Sequence, residues 1–248
     1  MLRVTVWDEN REDPSLFATY PQRIHGVLKE ILDEDGDFDV RVATLDMPDC
    51  GLPDEVLNTT DVLLWWGHAL HHCVPDELVD KIHQRVLAGM GILILHSAHD
   101  SKIFKKLMGT PCSLRWRDDE FERVWCVNPG HPIAKDVPAW FELDCEEMYG
   151  EFFDIPQPDE LVFMGWYRGG EVMRSGCCWY RGAGKVFFFQ PGHESNRAYY
   201  NPHVRTILKN ATRWAAPVKW RNCIGCKWSP PVEQMTEEQR TRDLTELT

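Results

Sequence analysis

The first half of the chain alternates short apolar runs with segments in which apolar residues recur every three or four positions. Two of these runs, "DVLLWW" and "ILIL", are apolar almost throughout, which is the form expected for strands covered on both faces. Strand-like runs that alternate with helix-like segments predict a parallel sheet with helices on both faces. The predicted strands are residues 2–7, 38–45, 61–66 and 92–95, and the apolar stripes of the helices lie in residues 24–32 and 78–86.

The pattern changes from about Arg115. Three apolar runs, "LVFMGWY", "VMRSGCCWY" and "KVFFFQ", are separated by the short glycine-containing turns "RGGE" and "RGAG". This spacing predicts an antiparallel meander attached to the parallel sheet. Asn201 and Pro202 then offer an N-cap and a first turn for a last helix. The sequence therefore predicts an α/β fold with a mostly parallel sheet and an antiparallel extension.

The charge of the chain limits the partners it can have. Among 248 residues, 27 are basic and 39 are acidic, for a formal net charge of −12 at neutral pH. Such a charge repels phosphate backbones and anionic lipid surfaces, so we expect neither a nucleic acid nor a membrane as a partner. No stretch approaches the roughly 20 consecutive apolar residues of a membrane span, and the chain starts on a strand-like run, so we expect a cytoplasmic protein.

Nine cysteines are scattered along the chain, an odd number that fits reduced thiols better than a disulfide framework. Cys223 and Cys226, in "CIGC", have the spacing of a metal knuckle. A structural zinc site needs four ligands, and no second CxxC pair exists in the sequence. Zinc binding by this pair therefore stays open, as does the role of the polar tail that contains it.

Histidines follow three of the apolar runs. His68 and His71 follow "VLLWW", His96 and His99 follow "ILIL", and His193 follows "FFFQ". Because ligands of an open parallel sheet bind outside the carboxyl ends of its strands, we expect these side chains to lie at one edge. Histidine is suited both to metal ligation and to proton transfer near neutral pH. Taken singly, each could also be an ordinary solvated or hydrogen-bonded residue.

Candidate carboxylates come from "EEMYGEFFD". Glu147 and Glu151 are four residues apart, so they share a face whether the segment is a helical turn or an extended strand. They could supply an acid and a base or complete a metal shell. The alternative is a solvated acidic turn. Tryptophans are frequent, and indole faces suit the apolar faces of sugar rings, although core positions account for many of them.

Several long motifs resemble the trehalose-utilisation protein family, often called ThuA-like, and the resemblance covers residues 2–217. It implies a flavodoxin-like fold of the class I glutamine amidotransferase type, and a link to trehalose and its 3-keto derivatives. The segments that carry it are "WWGHALHHCVPDELVDKIHQRVLAGMGILILHSAHDSKIFKKLMGT", "NPGHPI", "EEMYGEFFDIP", "GGEVMRSGCCWYRGAGKVFFFQPGHE" and "NPHVRTILKNATRWAAP".

The sequence departs from an amidotransferase at one decisive position. Where such an enzyme carries its nucleophilic cysteine, directly after "ILIL", this chain has His96 and Ser97. Hydrolysis of glutamine through a thiol is therefore not expected. A triad of Ser97, His193 and Glu194 would have the residue types for acyl transfer, but the Gly-x-Ser-x-Gly turn that exposes such a serine is missing.

These observations lead to one main hypothesis, a metal-assisted enzyme acting on a trehalose-type disaccharide or its 3-keto form by proton abstraction, with isomerisation or cleavage of the glycosidic bond. The predicted ligands of a divalent metal, zinc first, are His68, His71, His193 and Glu147. The predicted proton-transfer residues are His96, His99 and Glu151.

The alternative hypothesis is a carbohydrate-binding or regulatory protein that keeps the fold without catalysis. Under either hypothesis the partner is a small-molecule carbohydrate, and by analogy with this broad fold we expect a homo-oligomer. We expect one domain over residues 1–217, followed by a C-terminal tail at 218–248.

Overall fold

The fold is described for residues 1–11, 18–220 and 228–240 of a computed structural model. Cys223 and Cys226 lie outside these residues. Nine strands form a single sheet in the order β2-β1-β3-β4-β9-β8-β7-β5-β6. The strands are β1 (Leu2–Asp8), β2 (Phe38–Thr44), β3 (Val62–Trp66), β4 (Gly91–Leu95), β5 (Arg115–Cys126), β6 (Trp140–Gly150), β7 (Glu160–Tyr167), β8 (Val172–Arg181) and β9 (Gly184–Phe189).

One half of the sheet is parallel. Strands β2, β1, β3, β4 and β9 all pair in parallel. This is the strand order of a flavodoxin-like doubly wound sheet, in which the carboxyl ends of the strands form the ligand-binding edge. Trp7 on β1 and Trp65 on β3 stack in this half, with their ring centroids 3.7 Å apart.

The other half is antiparallel. Strand β9 pairs with β8, β8 with β7, β7 with β5 and β5 with β6. Strand β9 therefore joins the two halves, because it is parallel to β4 on one side and antiparallel to β8 on the other. Strand β6 lies at the outer edge, yet its last five residues are buried, and these residues enter the functional site.

Helices cover both faces of the parallel half and divide the core in two. Apolar side chains of α1 and α5 pack on one face, and those of α2, α3 and α4 pack on the other. The helices are α1 (Arg23–Asp33), α2 (Asp54–Asn58), α3 (Asp76–Ala88), α4 (Lys102–Met108) and α5 (Pro202–Ala215).

The ends of the helices follow from local chemistry. The side chain of Asn201 accepts hydrogen bonds from the backbone N–H groups of His203 and Val204, so it caps α5 as the sequence predicts. Helix α3 ends at Gly89, whose φ of 139° disfavours any residue with a Cβ atom.

The predicted α/β class, the parallel sheet and the antiparallel extension are all confirmed. The structure adds β5, β6, α2 and α4, which the sequence patterns did not predict. In the part of the chain that is described, no helix is both long and apolar enough to cross a membrane.

Candidate functional site

Three neighbouring strands deliver histidines to one edge of the sheet. His68 follows β3, His96 follows β4 and His193 follows β9, and these strands are adjacent. The ring centroids of His68 and His193 are 5.2 Å apart, those of His96 and His193 are 5.3 Å apart, and those of His68 and His96 are 6.4 Å apart. The three imidazoles therefore form one cluster, at the edge where the strand order places a ligand site.

Strand β6 of the antiparallel half adds a carboxylate. Glu147 is buried, and its Oε2 lies 3.0 Å from Nε2 of His96. One candidate ligand atom from each of His68, Glu147 and His193 lies within 4.8 Å of the others, and no other group of three His, Cys, Asp or Glu residues meets that test in the described parts of the chain. Two predicted histidine ligands and the predicted glutamate therefore come together.

Glu194 holds His68 in place. Oε1 of the buried Glu194 lies 2.5 Å from Nδ1 of His68. Burial alone would raise the pKa of Glu194, but the hydrogen bond and electrostatic interaction with His68 lower it to about 2. A carboxylate on Nδ1 fixes the ring orientation and leaves Nε2 of His68 free to bind a metal or a proton.

His193 sits in a loop that Glu146 ties down. The buried Glu146 carboxylate accepts hydrogen bonds from the backbone N–H groups of Gly192 and His193, at 2.9 and 3.2 Å, and from the side chain of Asn196. Nδ1 of His193 accepts the backbone N–H of Ser195 at 3.1 Å. A neutral His193 therefore carries its proton on Nε2 in this conformation.

His96 is buried against two carboxylates. It occupies the sharp turn after β4 with a φ of 52°, and its Nδ1 donates to the carbonyl oxygen of Gln190 at 2.7 Å. Burial opposes the charged form, but the carboxylates of Glu147 and Glu146 outweigh this effect and raise the pKa of His96. The Tyr149 ring stacks on the imidazole with the centroids 5.0 Å apart.

His99 has the opposite character. Its Nδ1 lies 2.9 Å from the carbonyl oxygen of Cys112. Since a carbonyl can only accept, Nδ1 carries the proton and Nε2 carries the lone pair. Burial lowers the pKa of His99 to about 4. His99 is thus a neutral imidazole of fixed tautomer at the cleft, which is the state that a general base requires.

The two remaining predicted residues lie outside the cluster. His71 stands on the short 3-10 turn His71–Cys73 and is not among the three grouped donors. The Glu151 carboxylate is bound by the guanidinium of Arg174 at 2.8 and 3.0 Å and accepts the backbone N–H of Phe153. Glu147 lies on β6 and Glu151 directly follows the strand, and only Glu147 lines the cleft.

An open cleft of about 510 Å³ is lined by His68 and His193 of the cluster and by Glu147. This volume is in the usual range for a small-molecule site. The hydroxyl of Tyr149 donates to Ser97 at 3.0 Å, and no hydrogen bond joins Ser97 to His193 within the described residues, so the geometry gives no support to a serine triad. The lining residues are His68, Ser97, His99, Asp100, Ser113, Leu114, Trp116, Asp118, Glu147, Tyr149 and His193.

Sequence reasoning missed Glu146 as the residue that holds the His193 loop. It also left the role of Trp116 undefined. Glu146 is next to Glu147 in the chain, and both are buried, so the usual alternation of strand faces concealed it. The two consecutive glutamates directly before Met148 and Tyr149 were the available signal.

Comparison with known proteins places this fold and site in a family. The family model described as trehalose utilisation matches residues 3–215. The chain belongs to the ThuA family. The matched residues include the nine strands, apart from the first residue of β1, and helices α1 to α5. They also include every residue that lines the cleft. None of the curated proteins matches this ThuA chain.

Solved structures share the ThuA fold at low sequence identity. A ThuA-like protein from Parabacteroides merdae is 16% identical, with a TM-score of 0.68 over 90% of this chain and 92% of that one. A ThuA-like protein from Bacteroides uniformis is 17% identical, with a TM-score of 0.63 over 86% and 91% of the two chains. A cytoplasmic protein from Salmonella typhimurium is 12% identical, with a TM-score of 0.60 over 87% and 100%. At these identities, the likeness establishes the fold.

Proposed function

We propose that this protein is an enzyme of carbohydrate metabolism that acts on a trehalose-type disaccharide or its 3-keto derivative. The observation that carries the proposal is the meeting of His68, Glu147 and His193 in one cleft, next to a neutral histidine of fixed tautomer. The family description supports the sugar substrate. On the 3-keto derivative, the proposed reaction is metal-assisted removal of a proton from the carbon beside the carbonyl. The resulting enolate is either protonated again, which gives an isomer, or expels the glycosidic oxygen, which takes up a proton as the bond is cleaved.

The chemistry of the donors fits a divalent metal, with zinc as the first candidate. Nε2 of His68 is left free by the Glu194 contact, and the Glu147 carboxylate, one oxygen of which lies 3.0 Å from Nε2 of His96, lines the same cleft. Two imidazoles, a carboxylate and an open fourth position are a common ligand set of catalytic zinc sites. A bound cation would polarise a sugar carbonyl and stabilise negative charge on its oxygen.

Binding of a metal through Nε2 of His193 would also require a local adjustment. If His193 binds through Nε2, its proton must move to Nδ1, which breaks the hydrogen bond from Ser195. We therefore expect the His193 loop to shift when metal binds.

In this proposal His99 removes the substrate proton through Nε2. The carbonyl of Cys112 orients its ring, and its low pKa keeps it deprotonated at neutral pH. Nε2 of His96 pairs with the Glu147 carboxylate at 3.0 Å, which balances the charge of Glu147 and fixes its position. Glu151 has no role in this step, because Arg174 holds its carboxylate outside the lining of the cleft.

The first test is elemental analysis of protein purified without chelator or added metal. We expect close to one zinc or manganese per chain in wild type, and loss of more than 80% of it in His68→Ala and His193→Ala. His72→Ala is the matched control, because His72 is exposed and lies outside the cluster. Metal retained in both cluster variants, or absent from wild type, would overturn the metal site.

The second test is turnover of 3-keto-trehalose. We expect His99→Gln to lower kcat by at least 100-fold with little change in metal content, because a general base contributes about 10²–10⁴ in rate. Full activity in His99→Gln would show that His99 is not the general base. Binding of sugar without any conversion by wild type would instead favour a non-catalytic carbohydrate-binding protein.

The proposal includes a cytoplasmic homo-oligomer. One structural neighbour is described as a cytoplasmic protein. Light scattering after gel filtration would give the oligomeric state, and cell fractionation would give the location. A monomer at micromolar concentration would contradict the homo-oligomer. Recovery of the protein in the membrane fraction would contradict the cytoplasmic location.

A further inference from the structure

Trp116 is an unusually exposed indole for a residue within a folded sheet. It lies near the start of β5 and is 61% exposed, yet it lines the cleft. The other exposed tryptophans of this region, Trp125 and Trp140, pack around the guanidinium of Arg123. No ring-stacking or cation–π contact involves Trp116 within the described residues. Packing inside the chain therefore does not account for its position.

Strand register places Trp116 beside the candidate site. It pairs with Tyr149 across the antiparallel β5–β6 ladder. Residues directly opposite each other in such a ladder point to the same face, with Cβ atoms about 4.5–5.5 Å apart. Glu147 shares that face because it lies two residues from Tyr149. The indole therefore stands next to the side chains on which the proposed chemistry depends.

The charges around the indole select against anionic ligands. Three carboxylates line the cleft, those of Asp100, Asp118 and Glu147, together with hydroxyl groups. No lysine or arginine lines it within the described residues, and the nearby Lys105 is paired with Asp100 at 2.6 Å. Carboxylates accept hydrogen bonds from hydroxyl groups, whereas phosphate is usually held by arginine or lysine. The lining therefore offers acceptors for hydroxyl groups but no lysine or arginine to hold a phosphate.

We propose that Trp116 is the stacking surface of a subsite for an uncharged sugar ring, and that Asp118 accepts hydrogen bonds from hydroxyl groups of that ring. This inference rests on the proposed sugar substrate. It adds where one sugar ring binds and that this sugar carries no charge. The C–H face of a pyranose packs on the indole, which leaves the linked sugar unit towards His68 and Glu147. The cleft thus takes unphosphorylated disaccharides and rejects sugar phosphates.

The test is calorimetric binding of trehalose and of trehalose 6-phosphate. We expect wild type to bind trehalose at least 10-fold more tightly than its phosphate. Trp116→Ala should weaken trehalose binding at least 10-fold, and Trp116→Phe should recover most of it because a ring remains. Trp125→Ala is the control, since Trp125 is also an exposed indole of β5 but lies outside the cleft. Its affinity should equal that of wild type.

Steady-state kinetics with 3-keto-trehalose separate this subsite from the proposed reaction. We expect Trp116→Ala to raise KM with kcat nearly unchanged. Turnover by wild type with an unchanged KM in Trp116→Ala would overturn the subsite and leave the reaction standing. Trehalose binding that depends on Trp116 without any turnover would leave the subsite and overturn the reaction. Equal affinity for the phosphate, or no binding of either sugar, would overturn the subsite.

Discussion

At the residue scale, His99 makes the stability of this protein sensitive to pH. Its pKa in the folded chain is about 4, below the ordinary value of 6.5, because of burial. The unfolded chain therefore binds a proton at a higher pH than the folded chain does. The resulting stability is fully present above pH 6.5 and is lost as the pH falls towards 4. Each unit of pKa difference between the unfolded and folded chains corresponds to about 1.36 kcal/mol, so the loss in the free energy of unfolding is at most about 3 kcal/mol.

Urea unfolding at a series of pH values measures this loss. We expect the free energy of unfolding of wild type to decline between pH 6.5 and 4, and the decline to be shallower in His99→Gln. The exposed His72→Gln is the comparison and should retain the wild-type slope. Identical slopes in all three proteins would mean that burial of His99 does not lower its pKa.

His96 and Glu147 form a buried pair whose partners depend on each other. Nε2 of His96 lies 3.0 Å from Oε2 of Glu147, and both side chains are almost completely buried. We expect His96→Ala to lower the free energy of unfolding by about 3–5 kcal/mol, because it leaves a buried carboxylate without a positive partner. Thermal and urea denaturation of the purified variant would measure this.

A double-mutant cycle with Glu147→Gln isolates the charge effect. In the His96→Ala background, Glu147→Gln should recover part of the lost stability, because it removes the unpaired charge. Simple additivity of the two substitutions would show that the pair is not coupled. Such a result would also remove His96 as the residue that holds Glu147 in place.

At the element scale, the loop after β9 needs glycine at position 192 for two reasons. Gly192 has a φ of 141°, and a Cβ atom there would lie 2.2 Å from the hydroxyl oxygen of Tyr199, whose ring is fully buried. Gly192→Ala should therefore displace the loop that carries His193. We expect a loss of at least about 2 kcal/mol in unfolding free energy, and loss of bound metal.

Gly170→Ala separates backbone strain from the steric clash. Gly170 also has a positive φ, 98°, but a Cβ atom there meets nothing within 4 Å. This variant should lose only about 1 kcal/mol and keep its metal content. If both variants behaved alike, strain alone would explain the effect, and the contact with Tyr199 would not matter.

The sequence predicted those elements whose pattern depends only on near neighbours. Continuous apolar runs identified β3 and β4, and the spacing of apolar residues identified α3 and α5. Strand β5 was not predicted because its sequence, "RWRDDEFERVWC", is rich in charge and only two of its residues are buried. Its strand character comes from pairing with β6 and β7, and a local pattern does not contain that information.

The candidate site was predictable in part for the same reason. The histidines at strand ends were found from the rule for parallel sheets, and the structure brings His68, His96 and His193 together. The sequence did not show which of the acidic residues line the cleft and which bind other parts of the chain, because this depends on partners that are distant in sequence. Glu151 binds Arg174, and Glu146 accepts hydrogen bonds from the His193 loop. No spacing along the chain encodes those contacts.

At the scale of the whole molecule, the end of the family match also suggests where the fold ends. The sheet and helices α1 to α5 lie within residues 2–215. Beyond them, Trp220 lies against Arg85 of α3, with the guanidinium carbon 4.5 Å from the ring centroid. We expect a chain ending at residue 217 to fold with the same circular dichroism spectrum and to lose only about 1 kcal/mol through this contact.

Unfolding curves of the shortened and full-length chains would measure that difference. Arg85→Ala in the full chain is the matched control, since it removes the same contact without shortening the chain. An unfolded or aggregated shortened chain would contradict the predicted single domain over residues 1–217 and make the tail part of the folded unit.

The pairing of β9 with β4 gives the assembly of this molecule a fixed order. Ile92 and Val186 are partners in the ladder although about ninety residues separate them, and the whole antiparallel half lies between. Closing so long a loop is entropically costly, so this ladder should form late and folding should be slow for the size of the chain. The cleft combines residues from both sides of that ladder. We therefore expect the cleft to form only in the final step of folding. A measurement of ligand binding would then detect only the molecules that are fully folded.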